Sequence, residues 1–287
     1  MKKRYLAIGA VALIAAAAAG YFVFQRQIGE AMFRQAVAEN VGRDRGAELP
    51  DGLLVFVCGS RSTPIPVAGP EGVDEVVAGF NMAYRLDSTY RTGHHGVAIA
   101  NPAGFGGAPE TIPAPSGPGH AQVILDKDGV KVTVITVNHP PITPAFGYRI
   151  DYKGRSVVLS GDTTYSEDLI AAAQGADVLF YEALRPSMVM EMSKAAAAKG
   201  QPHIAKVMGD ILDYHASPED AARAATNAKV RQLVLYHIVP PLPSALLNAA
   251  FLGDAPKAFS GPIRVAEDGL LISLPAGGTA INEQVVR

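Results

Sequence analysis

Residues 156–184 read SVVLSGDTTYSEDLIAAAQGADVLFYEAL. The apolar run Ser156–Leu159 has the length and composition of a strand. It breaks at Gly161. Ser166 then suits the N-cap of a helix over Ser166–Ala173, with Glu167 and Asp168 in the first turn, where the helix dipole favours acids. Asp177–Tyr181 is a second apolar run and a second strand.

The same grammar extends to both sides. Upstream, Gln122–Asp126 and Val130–Asn138 are strands joined by Lys127–Asp128–Gly129, a hairpin signal. Tyr148–Tyr152 pairs with Ser156–Leu159 across a turn at Lys153–Gly154. Downstream, Ser217–Asn227 is a helix capped by Ser217, with Pro218 at its first position and Glu219 and Asp220 beside it. Val230–Tyr236 is a strand leading into His237, and Gly269–Leu274 is the last strand. Towards the N-terminus the pattern thins. Leu53–Cys58 (LLVFVC) reads as a strand, RSTPIPVAGPEG as a turn, Val73–Tyr84 as a helix and Ala100–Gly119 as Gly/Pro-rich loop. Hairpins followed by alternating strands and helices give an α/β class.

Four polar residues stand at strand ends. His139 ends VTVITVNH, Asp162 follows VVLSG, Glu182 follows VLFY and His237 follows LVLY. Open α/β sheets build their sites at such ends. Imidazole lone pairs and a carboxylate charge brought together there suit a borderline-soft divalent metal, usually zinc. Capping and loop hydrogen bonds are the competing use of the same residues.

Four blocks carry a family resemblance: VNHPPITPAFGYRI (137–150), the 156–184 stretch, DYHASPEDAARAA (213–225) and QLVLYHIVP (232–240). In order and spacing they resemble the metallo-β-lactamase fold, in its ribonuclease Z-like and arylsulfatase-like branch. The resemblance implies an αββα sandwich and two zinc ions. It implies that His139 ligates the first metal, Asp162 bridges both and His237 ligates the second. His215 would protonate the leaving group and Glu182 would orient that histidine.

The family's HxHxDH metal motif is missing. The histidines are His94, His95, His120, His139, His203, His215 and His237; no two are separated by a single residue, and none follows an Asp. LLVFVCGS resembles the family's first strand, and PIPVAGPEGVDEVVAGFNMAY the segment that follows the motif. The two adjoin at Ser60–Arg61, so the front half of the sandwich is truncated there. The resemblance then leaves zero or one zinc. His94 and His95 read as loop residues, His120 and His203 as solvated ones, and Cys58 as a buried strand residue. Met188, Met190 and Met192 read as helix packing.

Composition sets outer limits. With 48% hydrophobic and 18% charged residues the chain is globular rather than disordered. A single cysteine excludes an intramolecular disulfide and a multi-cysteine zinc site. Leu6–Phe24 is an uncharged run behind Lys2, Lys3 and Arg4. As a helix it spans about 28 Å, close to a bilayer core of about 30 Å. Residues 1–26 therefore read as a membrane anchor or a cleaved signal, with the N-terminus cytoplasmic and the body in the periplasm. Residues 27–51 are an amphipathic helix and polar linker, and 52–287 the hydrolase-like domain. Residues 1–26 carry four basic and no acidic residues, so the net charge of −2 becomes −6 for the body. An acidic body argues against a nucleic-acid partner.

The reading is a membrane-anchored metal-dependent hydrolase of phosphodiesters, sulfate esters or related small esters, able to pair as a homodimer. The missing motif keeps two alternatives open: a non-catalytic binding relative, or a deletion product of a complete enzyme.

Overall fold

The computed structural model describes residues 62–286, which lie in one unit of the chain, Pro50–Arg287. The apolar run Leu6–Phe24, the linker, the strand expected at Leu53–Cys58 and the Ser60–Arg61 junction lie outside the described residues. Among the described residues no helix is long and apolar enough to cross a membrane.

The strands are β1 (Ile65–Gly69), β2 (Gly107–Thr111), β3 (Ala121–Lys127), β4 (Val130–His139), β5 (Ile142–Tyr152), β6 (Arg155–Leu159), β7 (Val178–Leu184), β8 (Gln232–Val239), β9 (Ile263–Val265), β10 (Leu270–Ser273) and β11 (Asn282–Val285). The principal helices are α1 (Val73–Ala83), α2 (Arg85–His95), α3 (Glu167–Ala172), α4 (Pro186–Ala198), α5 (Pro202–Asp210) and α6 (Pro218–Asn227). Strands β3 to β9 form one sheet in sequence order. Its first half, β3 to β6, is antiparallel, and β6 to β9 run parallel.

Turn chemistry sets the antiparallel half. Asp128 and Gly129 (φ 54° and 79°) join β3 to β4, and Lys153 and Gly154 (φ 46° and 76°) join β5 to β6. Two successive left-handed residues match the right-handed twist of a hairpin. In the parallel half, helices make the crossovers. Ser166 accepts the Leu169 N–H at the start of α3. Ser217 and Asp220 form a reciprocal capping box at the start of α6.

The core lies between the sheet and its helices. Ile135, Leu179, Tyr181, Leu233 and Leu235 point to one face and meet Leu169 and Ile170 of α3, the alanines of α6, and Phe251 and Phe259. A fully buried aliphatic side chain of this size contributes about 1.5–3 kcal/mol. Ala221, Ala222, Ala224 and Ala225 are all fully buried, so the backbone of α6 lies close on β7 and β8. The opposite face is also apolar: Val134, Val178 and Val234 are buried, and Phe146, Tyr148, Ile150, Leu159 and Phe180 are half-buried. A sheet apolar on both faces belongs inside a layered sandwich. Besides the seven-stranded sheet, the described strands form two two-stranded sheets, parallel β1–β2 and antiparallel β10–β11.

A buried carboxylate ties the tail to the sheet. Asp177 accepts Arg155 Nε and Nη2 at 3.1 and 3.0 Å, Arg231 Nη1 at 2.6 Å and the Ser156 N–H at 2.9 Å. Arg155 also donates to the carbonyls of Pro275 and Ala280.

Two N-terminal expectations change. Ala100–Gly119 is not all loop, because Gly107–Thr111 pairs with Ile65–Gly69, a stretch read as a turn. The pair is held from α1, where the Asn81 amide donates to the Gly107 carbonyl at 2.9 Å and accepts its N–H at 2.8 Å. His94 and His95 end the helix α2 rather than sitting in a loop, and both are exposed.

Candidate metal centre

Strands β4, β6, β7 and β8 point the same way, so their C-terminal ends share one sheet edge. That edge gathers His139, Asp162, Glu182 and His237, as the strand-end pattern anticipates. The loop after β6 is pinned on both sides. Thr163 Oγ1 and the Thr164 N–H bond the Asn138 carbonyl, and the Thr163 N–H reaches Glu182. Gly161, with φ 63°, donates its N–H to the Tyr236 hydroxyl at 3.0 Å. Asp162 is thereby set beside His237, with Oδ1 3.6 Å from Nδ1.

His237 is the extra residue of a β-bulge. Tyr236 pairs with Glu182 and Ile238 with Ala183, leaving His237 unpaired, with φ 44°. A bulge re-aims a side chain, and a left-handed conformation at such a residue costs about 1–3 kcal/mol. Register also shifts between Val137 and His139.

Glu182 is fully buried. Its Oε1 accepts three N–H groups: His215 Nδ1 at 2.9 Å, the Ala216 backbone at 3.1 Å and the Thr163 backbone at 3.2 Å. Its Oε2 is buried with no hydrogen-bond partner. Leaving such an atom unpaired costs about 1–3 kcal/mol. Burial works against a charged His215. The hydrogen bond and charge of Glu182, with the charge of Asp162, outweigh it and hold its pKa above the ordinary histidine value.

The rings of His139 and His237 lie 5.6 and 5.7 Å from that of His215. His139 Nδ1 bonds the Tyr214 carbonyl at 3.0 Å, and the Tyr214 ring meets it edge-on at 5.0 Å. Tyr214 was missed in the sequence, since its contribution is a backbone carbonyl. Its only signal is its place next to His215.

Among the described residues, one group of three or more His, Cys, Asp or Glu has all its ligand atoms within 4.8 Å of one another: Glu182, His215 and His237. His139 and Asp162 border it without joining it. Two imidazoles, one carboxylate and an unsatisfied buried oxygen fit one divalent cation, and the donors suit zinc.

The comparisons agree with this geometry. Residues 51–238 match the family model described as Beta-lactamase superfamily domain. The chain is 31% identical to a ribonuclease Z of Mycobacterium avium over 266 residues, 87% of each chain. Among solved structures, a metallo-beta-lactamase fold protein from Bacillus subtilis aligns at 20% identity with TM-score 0.42. The alignment covers 72% of this chain and 64% of that one, so this chain spans just under two thirds of its length. Human tRNase Z, short form, aligns at 18% identity with TM-score 0.47, over 75% of this chain and 70% of that one.

These relatives overturn the expectation that nucleic acid is no partner, because the ribonuclease Z proteins are RNA-cutting enzymes by name. The charge argument failed for a physical reason. A net charge of −6 describes the far field of the body, whereas a phosphodiester meets only the charges within about a Debye length of the site. The chain belongs to the beta-lactamase superfamily, as a metallo-hydrolase-fold relative of the ribonuclease Z proteins.

Proposed function

We propose that this chain is a metal-dependent hydrolase of phosphodiesters, with RNA as its substrate class. The observation that carries the reading is the Glu182–His215–His237 group at the C-terminal edge of the parallel strands, with one carboxylate oxygen buried and unpartnered. The relation to ribonuclease Z supplies the substrate class. When bound, a cation of this kind polarises a phosphoryl oxygen and makes a water nucleophilic near neutral pH. The chain's own residues order the site. Glu182 fixes the His215 ring, the Tyr214 carbonyl fixes His139, and Asp162 stands against His237 on the exposed side. The reading retains residues 6–24 as a membrane anchor with the body outside the cytoplasm.

The test is hydrolysis of a short RNA and of an aryl phosphodiester by the zinc-loaded full chain. Cleavage lost on chelation and in His237→Ala is the expected result. A folded, metal-loaded chain that cleaves neither substrate would sink it. That result would favour the second reading, a non-catalytic binding relative, for which the absent HxHxDH motif speaks.

A further inference from the structure

We infer that this chain holds its cation in a single site made by Glu182, His215 and His237, in place of the His139, Asp162 and His237 set that the family resemblance implies. The inference rests on the metal-dependent reading and assigns its ligands.

Three observations carry it. First, these three side chains alone among the described residues bring three ligand atoms within 4.8 Å of one another. Neighbouring ligands on a tetrahedral zinc lie about 3.3 Å apart, as bond lengths of about 2.0–2.1 Å require. The His215 Nδ1 to Glu182 Oε1 distance of 2.9 Å is already near that spacing. Second, Glu182 Oε2 is buried without a partner, a position that a cation satisfies and that a water-filled surface site would not leave. Third, the adjustable member is the right one. Glu182 and His215 are fixed in the interior, with side chains 0% and 7% exposed, whereas His237 is 47% exposed and sits on a bulge. Closing the group needs a shift of about an ångström, which His237 can make by side-chain rotation.

The hydrogen bond between His215 and Glu182 then marks where the cation goes. The proton on Nδ1 bridges the two groups in the metal-free chain; on binding it moves to Nε2 or to solvent, and Nδ1 turns its lone pair to the cation. Two histidines and a glutamate leave a fourth position open, the ligand pattern of catalytic rather than structural zinc. Asp162 braces His237, as carboxylates commonly brace ligating histidines. His215 becomes a ligand and gives up the proton-donor role that the resemblance implies.

The test is cobalt(II) titration of the purified full chain, read by the visible absorption of the bound ion and by competition with zinc. Glu182→Gln and His215→Ala should each weaken binding by about 100-fold or more, beyond the 10- to 100-fold typical of residues that only support a ligand. His139→Ala should bind within a few-fold of the parent. Gln keeps the Oε1 acceptor for the Thr163 and Ala216 N–H groups, and a thermal melt shows whether each variant is folded. If Glu182→Gln does not fold, His215→Ala carries the test. Binding lost in His139→Ala and kept in His215→Ala would overturn the assignment while leaving the hydrolase reading intact. A folded parent chain that binds no cobalt would overturn both.

Discussion

Replacing Asp177 by Asn tests the electrostatic tie at the start of β7. The Asp177 carboxylate receives two guanidinium groups and a backbone N–H, and Arg155 beside it is 6% exposed. Asn removes the charge and turns an amide NH2 towards guanidinium donors, leaving Arg155 buried with carbonyl partners only. Breaking a buried pair from one side costs about 3–5 kcal/mol. At about 2–4 °C per kcal/mol for a domain of this size, the melting temperature should fall by roughly 6–20 °C at pH 7. The pH dependence gives a second check. Burial works to raise the Asp177 pKa, but the hydrogen bonds from Arg155, Ser156 and Arg231 and the charge of Arg155 hold it below the ordinary 3.8. A carboxyl depressed in the folded state contributes stability that is present above the unfolded pKa and lost as pH falls through the folded one. The gap between parent and variant in urea unfolding should therefore be full at neutral pH and shrink below about pH 4. A gap under about 1 kcal/mol at pH 7, or one unchanged down to pH 3, would refute the reasoning.

Gly161→Ala should lower the melting temperature and weaken metal binding together. Its φ of 63° is left-handed, and an added Cβ collides with the Phe146 carbonyl oxygen behind the Asp162 loop. Ser217→Ala removes the acceptor for the Asp220 N–H at the start of α6 and should cost about 1 kcal/mol by urea unfolding, with the metal site unaffected. Ala222→Leu places extra volume on a fully buried helix face against the sheet and should destabilise by about 1–3 kcal/mol in the same assay.

What was legible in the sequence is what local chemistry decides. Asp128–Gly129 and Lys153–Gly154 offer two left-handed positions between apolar runs, and the structure turns there. Ser166 and Ser217 cap the helices they precede. The β1–β2 pair was not legible. IPVAG and GAPET carry prolines and glycines where a strand shows alternation, and the Asn81 amide that clamps Gly107 lies 26 residues away. Helix α2 has a polar sequence and no buried residue, so no apolar stripe announces it. In the site, His139, Asp162, Glu182 and His237 were visible as strand ends. Their mutual geometry was not, because the bulge at His237 is a mismatch between β7 and β8, strands separated by a helical hairpin and α6.

The absence of HxHxDH and the survival of this cluster have a common physical footing. Every member stands on the seven-stranded sheet or on a segment tied to it. His139 ends β4, Glu182 lies in β7 and His237 in β8. Asp162 sits on the loop bonded to Asn138 and Glu182. His215 is held to β7 by the Leu184 N–H on the Ala216 carbonyl at 2.7 Å and by Glu182 itself. None of them depends on β1, β2, α1 or α2. Losing the motif therefore removes donors but leaves the frame that aligns the remaining ones. A cation on that frame must draw its missing ligand from the same sheet edge. Among the described residues the buried side-chain atoms without a hydrogen-bond partner are Thr136 Oγ1, Arg264 Nε and Glu182 Oε2. Only the last is a carboxylate oxygen, and it lies beside two histidines. The geometry that supports a lone cation in this chain is thus set by the fold's second half and needs nothing from its first.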